Sequence, residues 1–91
     1  MEYLKVILNF SKEKESSKTS KEDFIEVQPS VLINGEANGF VEDVLTIEEG
    51  FVIVSADISQ IKDAKSVETK EIELSGTSVN NPLIVGLNVE S

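Results

Sequence analysis

Residues 40–56, FVEDVLTIEEGFVIVSA, are the stretch from which the fold can be worked out. Two apolar runs, 40–47 and 51–56, flank the tripeptide Glu48-Glu49-Gly50. A three-residue loop that ends in glycine is typical of a β-hairpin, because glycine adopts a positive φ without steric cost. We therefore predict that the two runs pair as a central β-hairpin.

The register of this hairpin determines which side chains share a face, because side chains alternate along a strand. If Ile47 opposes Phe51, then Leu45 opposes Ile53 and Asp43 opposes Ser55. One face then carries Val41, Leu45, Ile47, Phe51 and Ile53, and the other carries Phe40, Val44, Val52, Val54 and Ala56. A hairpin that is apolar on both faces either lies between two layers or presents one face to a partner. The simpler explanation of the unbroken run 51–54 is an internal core strand.

The two ends of the chain carry the clearest alternating patterns. Residues 3–10 and 83–89 predict half-buried strands that lie side by side or face one core. The apolar positions are Leu4, Val6, Leu8 and Phe10 in the first strand, and Leu83, Val85, Leu87 and Val89 in the last. Residues 66–74 predict an exposed, charged strand near a sheet edge.

The segment between the first strand and residue 33 has two contrasting parts. Residues 11–22, SKEKESSKTSKE, contain no apolar side chain and predict a charged loop or the tip of a projecting hairpin. Residues 23–33 place Ile25, Val27, Val31 and Ile33 on one face, and Pro29 favours an edge strand or a bulge. A short helix capped by Ser20 is the alternative for the first half of residues 23–33.

The remaining segments supply turns and one helix. Asn34-Gly35 and Asn38-Gly39 each suit a tight turn with positive φ, and Asp57 suits the start of a short helix that reaches about residue 65. We expect a single all-β domain over residues 1–91. It is a small sandwich or partly open barrel of about six mainly antiparallel strands with one short helix.

Composition excludes most catalytic chemistry. The chain has no Cys, His, Arg or Trp, so the usual nucleophiles, bases and soft metal ligands are missing. Neighbouring carboxylates such as Glu42 and Asp43 would point to opposite faces of a strand, and no calcium-loop pattern occurs. We therefore expect no enzymatic activity, no cofactor and no specific metal site.

The charge distribution favours some partners over others. The 17 acidic residues outnumber the 8 lysines, and residues 22–61 contain no positive side chain. Nucleic acid and anionic membranes would be repelled, whereas a basic protein surface would be attracted. An acidic surface that maintains solubility is the simpler explanation. The first residues do not resemble a signal peptide, so we expect a protein located in the cytoplasm or incorporated in a virion.

These observations favour a non-catalytic protein-protein interaction module. We expect a small structural or accessory subunit of a larger, phage-like assembly. It binds another protein, for which the charge favours a basic surface, or itself as a homo-oligomer. The alternative is a small acidic inhibitor that occupies a basic nucleic-acid-binding site on another protein. The candidate partner-binding residues are Asp43, Glu42, Glu48, Glu49, Phe40 and Val52. For Asp43 a hydrated rim is the simpler explanation, and for Glu48 and Glu49 a hydrated turn.

Overall fold

A computed structural model describes residues 1–10, 28–61 and 64–90 of the 91-residue chain. The described residues form eight β-strands and no helix, so the predicted all-β class is confirmed. Six strands were expected, and two features raise the number to eight. Residues predicted as turns form an additional strand, and the predicted strand 66–74 is divided into two.

The strands form two four-stranded sheets that share one hydrophobic core. In sheet A the order is β4 (Val44–Ile47), β1 (Glu2–Phe10), β8 (Leu83–Glu90) and β6 (Ser66–Val67). In sheet B the order is β3 (Glu36–Phe40), β2 (Ser30–Ile33), β5 (Gly50–Ala56) and β7 (Lys70–Leu74).

The first and last strands lie side by side, as their matching patterns predicted. β1 and β8 are parallel neighbours over seven residue pairs, from Leu4 opposite Leu83 to Phe10 opposite Val89. Most of their inward side chains are buried, and they include Leu4 and Leu87, which are both fully buried. The other strand pairs are antiparallel, and β7 is an edge strand, as expected for a charged segment.

The predicted central hairpin is wrong. β4 pairs with β1 in sheet A, where Ile47 lies opposite Glu2, whereas β5 pairs with β2 and β7 in sheet B, where Phe51 lies opposite Glu73. The connection at Glu48 and Glu49 therefore crosses from one sheet to the other. Gly50 does have a positive φ, of 129°, as predicted.

Burial explains why the chain changes sheets at this point. In a hairpin that pairs Ile47 with Phe51, the side chains of Leu45 and Val52 would lie on opposite faces. The crossover instead directs the inward sets of both strands into one core. Leu45 and Ile47 are buried from sheet A, and Val52, Val54 and Ala56 are buried from sheet B.

The predicted helix over residues 57–65 is also wrong, since the described residues of this segment form turns. The Ile61 N–H donates to the Ile58 carbonyl at 3.0 Å, and the Ala64 N–H donates to the Ile61 carbonyl at 3.3 Å. The Asp57 carboxylate accepts the Ser59 N–H at 3.0 Å. This Asx turn satisfies the backbone two residues on and competes with a continuing helix. The Ser59 N–H also lowers the pKa of Asp57.

The two Asn-Gly pairs have different roles. Asn34 (φ 53°) and Gly35 (φ 86°) form the predicted tight turn, which joins β2 to β3. Asn38-Gly39 was also predicted as a turn, but it lies within β3 at a bulge. There one extra residue is accommodated and Gly39 has a φ of 77°.

β2 is a central strand rather than an edge strand, because it pairs with both β3 and β5, but the predicted alternative of a bulge agrees with the register shift between Ser30 and Leu32. Pro29 lies directly before β2, so its missing N–H removes no ladder hydrogen bond. Val31 and Ile33 are buried, as predicted. The charged segment 11–22, the alternative helix capped by Ser20 and the predicted positions Ile25 and Val27 lie outside the described residues.

Candidate protein-binding surface

The four predicted acidic residues lie in two pairs at opposite ends of β4. Glu42 and Asp43 precede the strand, and Glu48 and Glu49 follow it; all four are exposed. Glu42 has a φ of 73°, and its N–H donates to the Val6 carbonyl at 2.8 Å. The two pairs therefore do not form one acidic cluster.

The two predicted apolar residues differ in their surroundings. Phe40 is 47% exposed on the outside of sheet B, whereas Val52 is 7% exposed and lies in the core. The prediction placed both side chains on one face of a hairpin. Because the chain crosses between the sheets, they point to opposite faces of sheet B instead. Val52 therefore presents little surface. Its neighbours Phe51 and Ile53 point outward instead and are 69% and 48% exposed.

The outer face of sheet B carries five apolar side chains on three adjacent strands, with Ser30 and Ser55 among them, and we call these five residues the apolar stripe. The residue pairs Leu32 with Ala37 and Ser30 with Phe40 place these side chains on the same face, because paired residues share a face. Leu32 also lies opposite Ser55, which alternates with Ile53 and Phe51 along β5. The apolar stripe consists of Phe51, Ile53, Leu32, Ala37 and Phe40.

Carboxylates border the apolar stripe along one side. Glu73 lies opposite Phe51 and Glu71 lies opposite Ile53 in the β5–β7 pair, and both glutamates are exposed. They belong to the edge strand β7, so they define the rim of sheet B on that side. This arrangement is an apolar strip with a negative flank.

The three lysines among the described residues lie elsewhere. Lys5 lies opposite Val44 in sheet A, and the Lys65 N–H donates to the Glu90 carbonyl of sheet A at 2.7 Å. Lys70 lies opposite the inward-facing Val54, and its Nζ is 3.9 Å from Glu68 Oε1. Within the described ranges, therefore, no lysine offsets the carboxylates beside the apolar stripe.

The outer face of sheet A differs from this surface in one important respect. Val44 and Ile84 are 43% and 52% exposed, but both lie opposite Lys5. A lysine therefore separates the two apolar side chains. The next pair toward the C-terminal end of β1 is Ile7 and Gly86, and glycine adds no apolar area.

A shallow depression lies at the end of the molecule next to Phe51. Its volume is about 470 Å³, and its lining includes Asn34, Glu36, Glu48 and Glu49. The described residues hold no group of three or more acidic side chains placed to bind a metal ion, and they include no buried polar side chain. The lining also includes Ile33, Ile47 and Val52, which belong to the core, so the depression opens between the ends of the two sheets rather than on the outer face of sheet B.

No protein-family model, curated protein or solved structure matches this chain. Within the part of the chain that the structure describes, no helix is long and apolar enough to cross a membrane. Geometry and charge are thus the basis for a functional assignment.

The sequence contained a signal for the outward residues that the prediction missed. Phe51, Val52, Ile53 and Val54 are all apolar, so alternation alone does not indicate which pair is buried. The pattern of the partner strand resolves this ambiguity. Glu71 and Glu73 alternate with Ile72 and Leu74 on β7, and charged residues favour the outer face.

Proposed function

We propose that this protein is a non-catalytic protein-protein interaction module that serves as a small structural or accessory subunit of a larger, phage-like assembly. It binds its neighbour through the outer face of sheet B. The observation that carries this proposal is the apolar stripe, in which Phe51 and Ile53 are 69% and 48% exposed. Contiguous exposed apolar surface rimmed by polar residues is typical of protein-binding surfaces.

Burial of the apolar stripe by a partner would contribute free energy to binding. Complete burial of one large apolar side chain contributes about 1.5–3 kcal/mol. Phe51, Ile53 and Phe40 are each about half or more exposed, so a partner that covers them gains a substantial part of that energy. Aromatic residues in particular tend to contribute strongly to interfaces.

The charge beside the apolar stripe favours a basic partner over a second copy of the chain. Glu71 and Glu73 flank the stripe, whereas the neighbouring Lys70 lies opposite the inward-facing Val54, with its Nζ 3.9 Å from Glu68 Oε1. Two copies joined through this face would bring their described carboxylates toward one another, and like charges oppose association. A neighbour with lysine or arginine at its rim would complete the interface.

Two isoleucines on opposite outer faces allow a matched test. Ile53 in sheet B and Ile84 in sheet A are 48% and 52% exposed. The proteins that the wild-type chain retains from an extract of its source cells should be identified and purified. Their affinities for Ile53→Thr and Ile84→Thr should then be measured by calorimetry. We expect Ile53→Thr to weaken binding by about tenfold, because a buried apolar contact is lost, and Ile84→Thr to have little effect.

Two results would contradict this proposal. Equal affinities for the two variants would remove the outer face of sheet B from the interface. Stronger loss with Ile84→Thr would place the interface on sheet A. The thermal unfolding of both variants serves as the control, because both side chains are exposed and neither substitution should alter the core.

The second candidate function is an acidic inhibitor that occupies a basic nucleic-acid-binding site on another protein. The observation that favours it is the depression beside Phe51, where Glu36, Glu48 and Glu49 lie together at one end of the molecule. Salt distinguishes the two functions. An inhibitor that imitates phosphates should lose most of its affinity between low and high salt, whereas an interface centred on the apolar stripe should keep most of it.

A further inference from the structure

We propose that the occupant of the apolar stripe is a basic, amphipathic α-helix of the partner, about four turns long. Its apolar side contacts Phe51, Ile53 and Phe40, and its lysine or arginine residues lie over Glu71 and Glu73. This inference rests on the proposed function and adds the kind of partner to it.

The dimensions of the apolar stripe suit a single helix. It extends from Phe51 on β5 to Phe40 on β3, which spans about 20 Å along the strands and about 10 Å across them at normal strand geometry. A helix of about 15 residues is about 22 Å long and about 10 Å wide. Covering an exposed sheet face with a helix is a common layer arrangement in proteins.

A second sheet fits this surface less well. Face-to-face sheet packing requires apolar side chains across the width of both sheets. The outward apolar side chains of sheet B lie on β3, β2 and β5, whereas β7 presents Glu71 and Glu73 on that side. A packed sheet would desolvate these carboxylates, whereas a helix along the stripe leaves them at its flank.

Addition of an extended strand would reach only one end of the stripe, because the free edges of sheet B are β7 and β3, and β3 carries only Ala37 and Phe40 of the stripe. β5 is hydrogen-bonded to β2 on one side and to β7 on the other, so Phe51 and Ile53 do not lie on a free sheet edge. Strand addition uses unpaired backbone groups at an edge. The stripe is therefore recognised by side-chain packing across a face, which is how an amphipathic helix binds.

The negative flank specifies the charge of the helix. Carboxylates lie along β7, on one side of the stripe. On the other side, β3 contributes Ala37 and Phe40 to the outer face, while its glutamate, Glu36, lies opposite the inward-facing Ile33. A helix with apolar residues at i, i+4, i+7 and i+11 and lysines on one flank is complementary to this arrangement. An acidic helix of the same shape would be repelled.

The test uses designed peptides of about 16 residues, a length that covers the stripe. One peptide has the apolar spacing with lysines on one flank, a second has glutamates in place of the lysines, and a third has the first composition in scrambled order. Each is titrated into isotope-labelled protein and followed by nuclear magnetic resonance. We expect only the lysine peptide to shift the signals of Phe51, Ile53, Glu71 and Glu73, with affinity about tenfold or more above the other two.

A charge-reversed variant strengthens the test. In Glu71→Lys combined with Glu73→Lys, the preference should invert, so that the glutamate peptide binds more tightly than the lysine peptide. Both positions are exposed on an edge strand, and the spectrum of the free variant reports whether the fold is retained. The wild-type comparison of the three peptides stands independently of this variant.

Equal binding of the lysine and scrambled peptides, or shifts confined to sheet A, would overturn the helix proposal. The proposed function would then still stand if Ile53→Thr selectively weakens binding of the cellular partner. The converse result is selective binding of the lysine peptide while Ile53→Thr leaves the affinity for the cellular partner unchanged. It would support helix binding by this face and contradict the proposed function.

Discussion

The hydroxyl of Thr77 donates a 2.5 Å hydrogen bond to Oε1 of Glu2. The Thr77 N–H donates to the same carboxylate oxygen at 2.8 Å, and the Thr77 hydroxyl oxygen accepts the Tyr3 N–H at 2.7 Å. Thr77 lies between β7 of sheet B and β8 of sheet A. These three bonds therefore join the start of β1 to the connection between the two sheets.

Replacement of Thr77 by valine tests this junction. Valine keeps the branched shape but removes the hydroxyl, so the Tyr3 N–H loses its acceptor. We expect the free energy of unfolding to fall by about 1 kcal/mol for that bond, the usual net contribution of one hydrogen bond. Thr77→Ser is the matched control because it retains the hydroxyl. Urea unfolding should place the serine variant close to the wild type, and equal losses in both variants would contradict the role of the hydroxyl.

The same junction predicts a pH dependence. The Thr77 hydroxyl, followed by the Thr77 N–H, favours the charged carboxylate and lowers the pKa of Glu2. Because the folded pKa lies below the unfolded pKa, ionised Glu2 stabilises the fold at pH values above the unfolded pKa. This contribution is lost as the pH falls through the folded pKa. The stability difference between the wild type and Glu2→Gln should therefore shrink in acid.

Resonance titration of the Glu2 side chain gives a direct measurement for this second prediction. The pKa should lie below the ordinary value for glutamate in the wild type and move back toward it in Thr77→Val. An unshifted pKa in the wild type would show that the carboxylate gains nothing from Thr77.

Gly50 provides a third prediction. Its φ is 129°, and a Cβ built there has no heavy atom within 4 Å, so a substitution suffers backbone strain but no overlap. We expect Gly50→Val to lower the free energy of unfolding by about 1 kcal/mol or more, because β-branched residues resist positive φ. Glu49→Val adds the same side chain at the neighbouring exposed position. A thermal melt in which both variants behave alike would remove the conformational role of Gly50.

The local sequence predicts the conformation of the loop at Gly50 better than it predicts which strands pair with β4 and β5. Glycine at position 50 predicted a positive φ, and alternation predicted β4 and β5, but both features are shared by a hairpin and by a crossover between sheets. The choice depends on Glu2 and Leu4, which pair with Ile47 and Leu45 from more than 40 positions away. The local pattern contains no information about such distant pairing. The inward positions of β1 and β8 could be predicted without it, because each strand alternates clearly by itself.

The candidate site was predicted in part for a related reason. The acidic residues were expected to be hydrated from their charge and their positions at a rim or turn, whereas Phe40 was predicted only as part of an apolar hairpin face. Val52 was misplaced because its inward direction depends on which sheet contains β5. Phe51 and Ile53 point outward for the same reason, because β5 belongs to sheet B. Once β7 is known to pair with β5, the alternation of Glu71 and Glu73 assigns the exposed face without further information.

The last prediction compares two glycines that share a backbone conformation but differ in their surroundings. Gly35 and Gly39 have φ values of 86° and 77°, so alanine is strained at both positions. A Cβ on Gly35 meets no heavy atom within 4 Å, whereas a Cβ on Gly39 overlaps Cδ2 of Leu45, which is only 6% exposed. Gly39 therefore allows the bulge of β3 to pack closely against the Leu45 side chain at the end of the core.

We expect Gly35→Ala to lower the free energy of unfolding by about 1 kcal/mol, since it introduces backbone strain alone. Gly39→Ala should cost about 1–3 kcal/mol more, because overpacking is added to the same strain. The two contributions separate in a double-mutant cycle measured by urea unfolding. In a Leu45→Ala background the overlap is removed, so the cost of Gly39→Ala should fall to that of Gly35→Ala. Equal costs of the two glycine substitutions in the wild-type background would show that β3 does not pack against Leu45.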